Sequence, residues 1–311
     1  MVLDEHGLPH CLGYCGRVEE TSISSNETWS SCRACPWGTR ASSESHCLPC
    51  ENALPAYDWM YLLFIALLPL LMQIQFIRNA RKYCRRRSYE VTEHICVLAE
   101  NVIAIVVSIL IYPPRFTFFL NSCDKSTMRE WYPVFHNPKI GHSKTLKCSS
   151  EIVFPLYSLP FVHHLVLITT ILIFRSILYC VFLHKTYNGK PFYNSLISLP
   201  LLAGLHAFFA GVLYYTFPWI LLTTSTMILV YHVSRQGKMS ILELIVRLVT
   251  SPLHLTFLLI VLLLLTFSFT AIIIPLSIEH RWLFLCLVPV PITLYLIILP
   301  FTHPTQISKY Q

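Results

Sequence analysis

Six cysteines crowd the first fifty residues, at Cys11, Cys15, Cys32, Cys35, Cys47 and Cys50. Cys32/Cys35 and Cys47/Cys50 are each spaced C-x2-C, which admits three chemistries. Four thiolates at that spacing close a tetrahedron around zinc. In an oxidising compartment the same even count reads as three disulfides, with fifteen possible connectivities. Cys47-Leu-Pro-Cys50 taken alone resembles a redox pair, but no thioredoxin-like βαβ context surrounds it to lower one thiol's pKa. The disulfide reading is favoured, because the sequon Asn26-Glu27-Thr28 in the same segment accepts a glycan only on the non-cytosolic side. Cys123 and Cys148 share one later loop and are expected to bridge to each other.

A second polar set lies in otherwise apolar sequence: Glu100 and Asn101, then His163 and His164, then His206. A carboxylate inside a membrane costs about 2.5–3.5 kcal/mol on insertion scales, so Glu100 is expected to face a helix interface and to be neutral or paired. The three histidines are its expected partners. A proton or substrate path is one reading of this set; a hydrogen-bonded cluster that fixes helix packing is the other, and it is preferred because the spans hold no second acid to make a relay. No H-E-x-x-H, G-x-S-x-G, phosphate loop or dinucleotide fingerprint occurs, so no catalytic residue, metal site or cofactor is expected.

The elements that must position these residues are transmembrane helices. Hydrophobic residues make up 54% of the 311, charged residues only 13%, and mean hydropathy is +0.56. So few charges cannot cover a soluble body of this size. Apolar runs long enough to cross a bilayer predict seven spans, near Tyr57–Ile77, His94–Tyr112, Ile152–Phe174, Phe192–Tyr214, Trp219–Val233, Leu253–Ile278 and Trp282–Phe301. A tight turn is expected at Thr216-Phe217-Pro218, between spans four and five. The fold expected is an all-α polytopic membrane protein with seven transmembrane helices in 57–311, carrying a small disulfide-rich luminal cap in 1–56.

Sidedness follows from charge. Arg78, Arg81, Lys82, Arg85, Arg86 and Arg87 follow the first span, the strongest basic cluster in the chain. The positive-inside rule puts them in the cytosol and the N-terminus across the membrane. Arg175, Lys185 and Lys190 mark the next cytosolic return, then Arg235 and Lys238. An odd span count leaves the tail cytosolic. The net charge of +7 therefore serves topology, and no nucleic-acid partner is expected. No apolar leader stands before the first cysteine, so the first span is expected to translocate the cap as a reverse signal anchor.

Two functional classes remain open on these residues: a transporter or channel using the polar groups of spans two to four, and a seven-span surface receptor with a ligand-binding cysteine cap. The arginine triplet and the Asn-Pro motif of G-protein-coupled receptors are absent.

The order of several segments resembles the Jun-kinase-associated membrane proteins over nearly the whole length. The segments are CRACPWGTR…HCLPC followed at once by YDWMYLLFIALLPLL, then WYPVFHNP, EIVFPLYSLPF after Cys148, VLYYTFPW, and LVPVPITLYLIILPFTHPTQI near the end. The text of spans five and six matches less well, and the first cytosolic loop is richer in arginine. The resemblance implies a non-enzymatic adaptor of the endoplasmic reticulum membrane. Such an adaptor gathers ubiquitin ligases and proteasomes during the degradation of misfolded proteins and is linked to Jun kinase signalling.

Overall fold

The structure is a computed structural model. It describes residues 9–20, 28–36, 38–80, 87–123, 128–132, 148, 155–182, 189–234, 243, 246–247, 250–276 and 279–302. Asn26, Arg81, Lys82, Arg85 and Arg86 lie outside the described residues. The chain divides into two compact units, Met1–Leu213 and Tyr214–Gln311.

The first unit begins with a cap of short antiparallel ribbons. Strand β1 (Glu19–Glu20) pairs with β2 (Thr28–Trp29), and β3 (Thr39–Ala41) pairs with β4 (Cys47–Pro49) in the register Thr39↔Pro49, Ala41↔Cys47. Gly38 (φ +82°) precedes β3 in the left-handed region that glycine adopts without steric cost. Strand β5 (Asn52–Ala53) pairs with β6 (Asn121–Ser122), although 67 residues or more separate them in the chain. That pairing ties the cap to the segment after the second helix.

Three helices of 25 residues each follow from the apolar runs: α1 (Ala56–Ala80), α2 (Arg87–Ile111) and α3 (Ser158–Phe182). A short 3-10 turn at Met128–Trp131 stands between α2 and α3. Helix α4 (Lys190–Ser234) is 45 residues long, and its first half belongs to this unit. Ala104 of α2, Leu167 and Ile171 of α3 and Leu199 of α4 form a common buried cluster. At 1.5 Å rise per residue, the 25-residue helices reach about 37 Å, enough to cross a hydrocarbon core of about 30 Å.

The second unit holds the rest of α4, helix α5 (Pro252–Ile273), a 3-10 turn at Arg281–Leu287 and helix α6 (Val290–Thr302). Leu229 and Val233 of α4 pack with Val261 and Leu265 of α5 and with Val288. Ser268 Oγ donates to the Pro218 carbonyl at 2.6 Å, and Tyr295 Oη donates to Val230 O at 3.3 Å.

Among the described residues, five helices are long and apolar enough to cross a membrane: Ala56–Ala80, Val91–Ile111, Ser158–Leu178, Lys190–Ser234 and Pro252–Ile273. The expected seven are not confirmed, and the difference arises in two places. The turn expected at Thr216-Phe217-Pro218 is not made, and spans four and five run as one helix. Pro218 removes a single N–H from the helical ladder, and the helix runs on through it. Near the end, Trp282–Tyr295 forms only a shorter apolar helix. Pro289 and Pro291 lack the N–H groups that would join the 3-10 turn smoothly to α6, so the last expected span is interrupted.

Candidate functional site

Among the described residues eight cysteines pair as four disulfides: Cys11–Cys32, Cys15–Cys148, Cys35–Cys47 and Cys50–Cys123. The expected bridge between Cys123 and Cys148 is therefore corrected, since each binds a cysteine of the N-terminal segment instead. Strand pairing accounts for one of them. Cys50 stands two residues before β5 and Cys123 directly follows β6, so the β5–β6 register delivers both to one place. Cys11, Cys15 and Cys148 are buried together, with Cys32 and Tyr14 packed against them. The cap thus has a core of sulfur where a segment this short lacks apolar residues for one.

Gly16 shows how tightly that core is packed. A Cβ built on it would lie 2.7 Å from both Cys35 Sγ and Cys47 Sγ. Arg17 beside it is buried and donates through Nη2 to Pro9 O at 2.6 Å. His46 stacks on Trp29 at 4.1 Å between ring centroids.

The cap is seated on the helices through the 3-10 turn. Arg40 of β3 pairs with Glu130, and the next residue, Trp131, meets Tyr61 of α1 edge-on at 6.3 Å. Tyr61 Oη donates to Ala210 O at 3.2 Å, and Tyr132 Oη donates to Phe208 O at 3.3 Å. Trp131 also lies against Gly211, where an added Cβ would come within 2.9 Å of the Trp131 Cβ.

Inside the bundle the partner of Glu100 is Arg175. The Arg175 Nε donates to Oε1 at 3.0 Å and to Oε2 at 3.2 Å, and Nη2 donates to Oε2 at 2.9 Å. The same guanidinium reaches two further helices. Its Nη2 donates to Gln73 Oε1 of α1 at 2.8 Å, and its Nη1 to Ser195 Oγ of α4 at 3.2 Å. Cys96, one turn from Glu100 on α2, places its thiol 3.3 Å from Oε1. Glu100 is 0% exposed and Arg175 5%, so both charges are fully desolvated by the protein. A planar fork with fixed donors suits such a carboxylate site better than lysine would.

The histidines expected to hold Glu100 sit elsewhere. Arg175 is eleven residues beyond His164 on α3, about 16 Å along the axis at helical rise. His206 of α4 bonds the Tyr157 carbonyl at 3.0 Å through Nε2 and meets the Phe161 ring edge-on at 5.2 Å. His163 and His164 lie next to each other, 5.6 Å between ring centroids. Asn101 donates to Val97 O at 2.8 Å, a bond within its own helix. The buried polar residues therefore form two layers, an ion-pair layer and a histidine layer nearer the cap. Sequence reasoning missed Arg175, Gln73 and Ser195. The run Ile-Leu-Ile-Phe-Arg175-Ser-Ile-Leu continues apolar past the arginine, and that continuation was the available signal that Arg175 belongs inside the span.

Together the cap and bundle define a multi-pass helical membrane protein whose disulfide-bonded extramembrane cap is stapled to the loop after its second helix. The model of the family described as "JNK1/MAPK8-associated membrane protein" matches residues 11–304. A Caenorhabditis elegans JNK1/MAPK8-associated membrane protein homolog is 54% identical over 312 residues, covering 97% of this chain and 96% of its own. The JNK1/MAPK8-associated membrane proteins of mouse and human are each 31% identical over 303 residues, covering 96% of both chains. The chain belongs to the JNK1/MAPK8-associated membrane protein family. No solved structure is similar to it.

Proposed function

We propose that this protein is a non-enzymatic adaptor of the endoplasmic reticulum membrane. It recruits ubiquitin ligase and proteasome to misfolded proteins. It also associates with Jun kinase, and only that association is printed in the names of its relatives. Its N-terminal cap is luminal and its C-terminus cytosolic. The observation that carries the reading is family membership along nearly the whole chain, cap and helices alike. Two features of the molecule support it. Disulfides persist in an oxidising compartment, and two of the four here join the N-terminal segment to the loop after α2, which supports a shared luminal side for both segments. Glu100, buried in the bundle, is held by an arginine that contacts three other helices, which suits a rigid anchor better than a proton path.

Affinity purification of the full chain in mild detergent, from cells under folding stress, tests this. Co-purification of ubiquitin ligase, proteasome subunits and Jun kinase is expected. Recovery of none of them defeats the adaptor reading. Sidedness has its own test: a mobility shift on removal of high-mannose glycan, lost in Asn26→Gln, places the cap in the lumen.

A further inference from the structure

The cap-side ends of α1, α2 and α3 enclose a cavity of about 110 Å³. Leu62, Ile65 and Ala66 of α1 line it with Ile105 and Ile109 of α2 and Leu159 of α3. One imidazole, His163, stands in this apolar lining. It is 5% exposed, and neither ring nitrogen has a hydrogen-bond partner among the described residues. Ser108, also at the cavity, is already committed to Ala104 O at 2.5 Å. Buried polar groups are nearly always satisfied, so a lone imidazole in an apolar cavity points to a ligand that brings its own polar atom.

The position of the cavity narrows the ligand. Trp59 and Leu63 border it and are exposed on the outer face of a helix apolar enough to span a membrane, so the mouth faces lipid. Trp59 is in the first turn of α1, Ile109 in the last turn of α2, and His163 five residues into α3, about 7.5 Å along its axis. That depth is the boundary between headgroups and chains, where lipid hydroxyls reside and aromatic residues anchor. Among the described residues no charged side chain lines the cavity, so a phosphate or ammonium headgroup has no counterpart among them.

We propose that this cavity binds a sterol-type membrane lipid, whose single hydroxyl hydrogen-bonds His163 while its apolar body lies along Leu62, Ala66 and Ile105. A neutral imidazole offers one donor and one acceptor, and a hydroxyl matches either. A diacylglycerol would bring two ester carbonyls besides its hydroxyl, and among the described lining residues only the Trp59 indole N–H at the rim remains to meet them. The site stands apart from the adaptor reading, because it concerns the bilayer and not a cytosolic partner.

The test is photolabelling of the full chain in lipid nanodiscs with a diazirine-bearing sterol, with the adducts mapped by mass spectrometry. Saturable labelling is expected on the peptides that carry Trp59–Ala66 and Leu159–His163. Excess unlabelled sterol removes it. The sterol hydrocarbon lacking the hydroxyl competes about fivefold less well, the fold-change of one neutral hydrogen bond near 1 kcal/mol. His163→Leu weakens labelling by a similar factor while His163→Gln retains it, and Ala66→Trp, which fills the cavity, abolishes it. If His163→Leu fails to give a monodisperse protein, the wild-type competition series and Ala66→Trp carry the test. Absent labelling, labelling unchanged in Ala66→Trp, or labelling by a diacylglycerol probe in place of the sterol overturns the proposal.

Discussion

Arg175 and Glu100 are 75 residues apart in sequence and meet in a bidentate pair, with the shortest contact, Nη2 to Oε2, at 2.9 Å. The pair is the hub of four helices, since Gln73 of α1 and Ser195 of α4 accept from the same guanidinium. Burying either charge alone would be far more costly than burying both together.

Removal of one partner should therefore be much worse than removal of both. Glu100→Gln or Arg175→Met alone is expected to lower stability by about 3–5 kcal/mol, because an uncompensated charge or a set of orphaned donors remains. The double substitution Glu100→Leu with Arg175→Met is expected to recover a large part of that loss. Thermal unfolding of the purified chain in detergent, followed by circular dichroism, gives the comparison. Additive losses in the double variant would show that the two residues are not coupled. A transporter would instead lose flux in Glu100→Gln while keeping its thermal midpoint.

The disulfide map makes a prediction that distinguishes it from a simpler arrangement. Peptide mapping without reduction should find Cys15 linked to Cys148 and Cys50 linked to Cys123. Consequently Cys50→Ser leaves Cys123 as a free thiol, open to a maleimide reagent on the cap side. A Cys123–Cys148 peptide in the wild type would contradict the β5–β6 pairing as well as the bridges, because that pairing brings residues 50 and 123 together.

Gly16 should tolerate no side chain. Its Cβ would meet two disulfide sulfurs at 2.7 Å, and a disulfide is not the flexible end of a side chain that can swing away. Gly16→Ala is expected to interfere with the Cys35–Cys47 bridge and to raise the free-thiol count by two. Gly38→Ala is the control, with open space around the Cβ but φ at +82°, so a cost of about 1 kcal/mol and no new thiols are expected. Ellman titration of the denatured, non-reduced proteins separates the two.

Much of this architecture was legible in the sequence, and the failures have physical causes. The apolar runs identified α1, α2, α3 and α5 because a spanning helix needs about twenty such residues wherever it occurs. The pairing of Cys123 was not legible, because it depends on a two-residue strand contact to Asn52–Ala53 that no local pattern encodes. Arg175 was misplaced because a charge near the end of an apolar run looks the same whether it faces water or a buried acid 75 residues away. Thr216-Phe217-Pro218 reads as a turn because proline is a breaker on average. In this helix its lost hydrogen bond is one among many, and the helix continues to Ser234.

Trp131 is expected to be what keeps the cap seated on the first unit's helices. It is 4% exposed, meets Tyr61 edge-on, and lies so near Gly211 that a methyl group there would come within 2.9 Å of it. Its neighbour Glu130 pairs with Arg40 of the cap, so one short turn bonds upward to a ribbon and packs downward onto α1 and α4. Trp131→Ala should cost about 3–5 kcal/mol, as large-to-small changes at buried aromatics do. Gly211→Val should act through the same contact from the other side, pushing Trp131 off α4. In both variants the helices keep their own packing, so limited proteolysis on the cap side should release N-terminal fragments faster while the detergent-extracted bundle stays monodisperse. The disulfides Cys15–Cys148 and Cys50–Cys123 should hold those fragments to the loop until reductant is added. Unchanged proteolysis in both variants would mean that the strands and disulfides alone seat the cap.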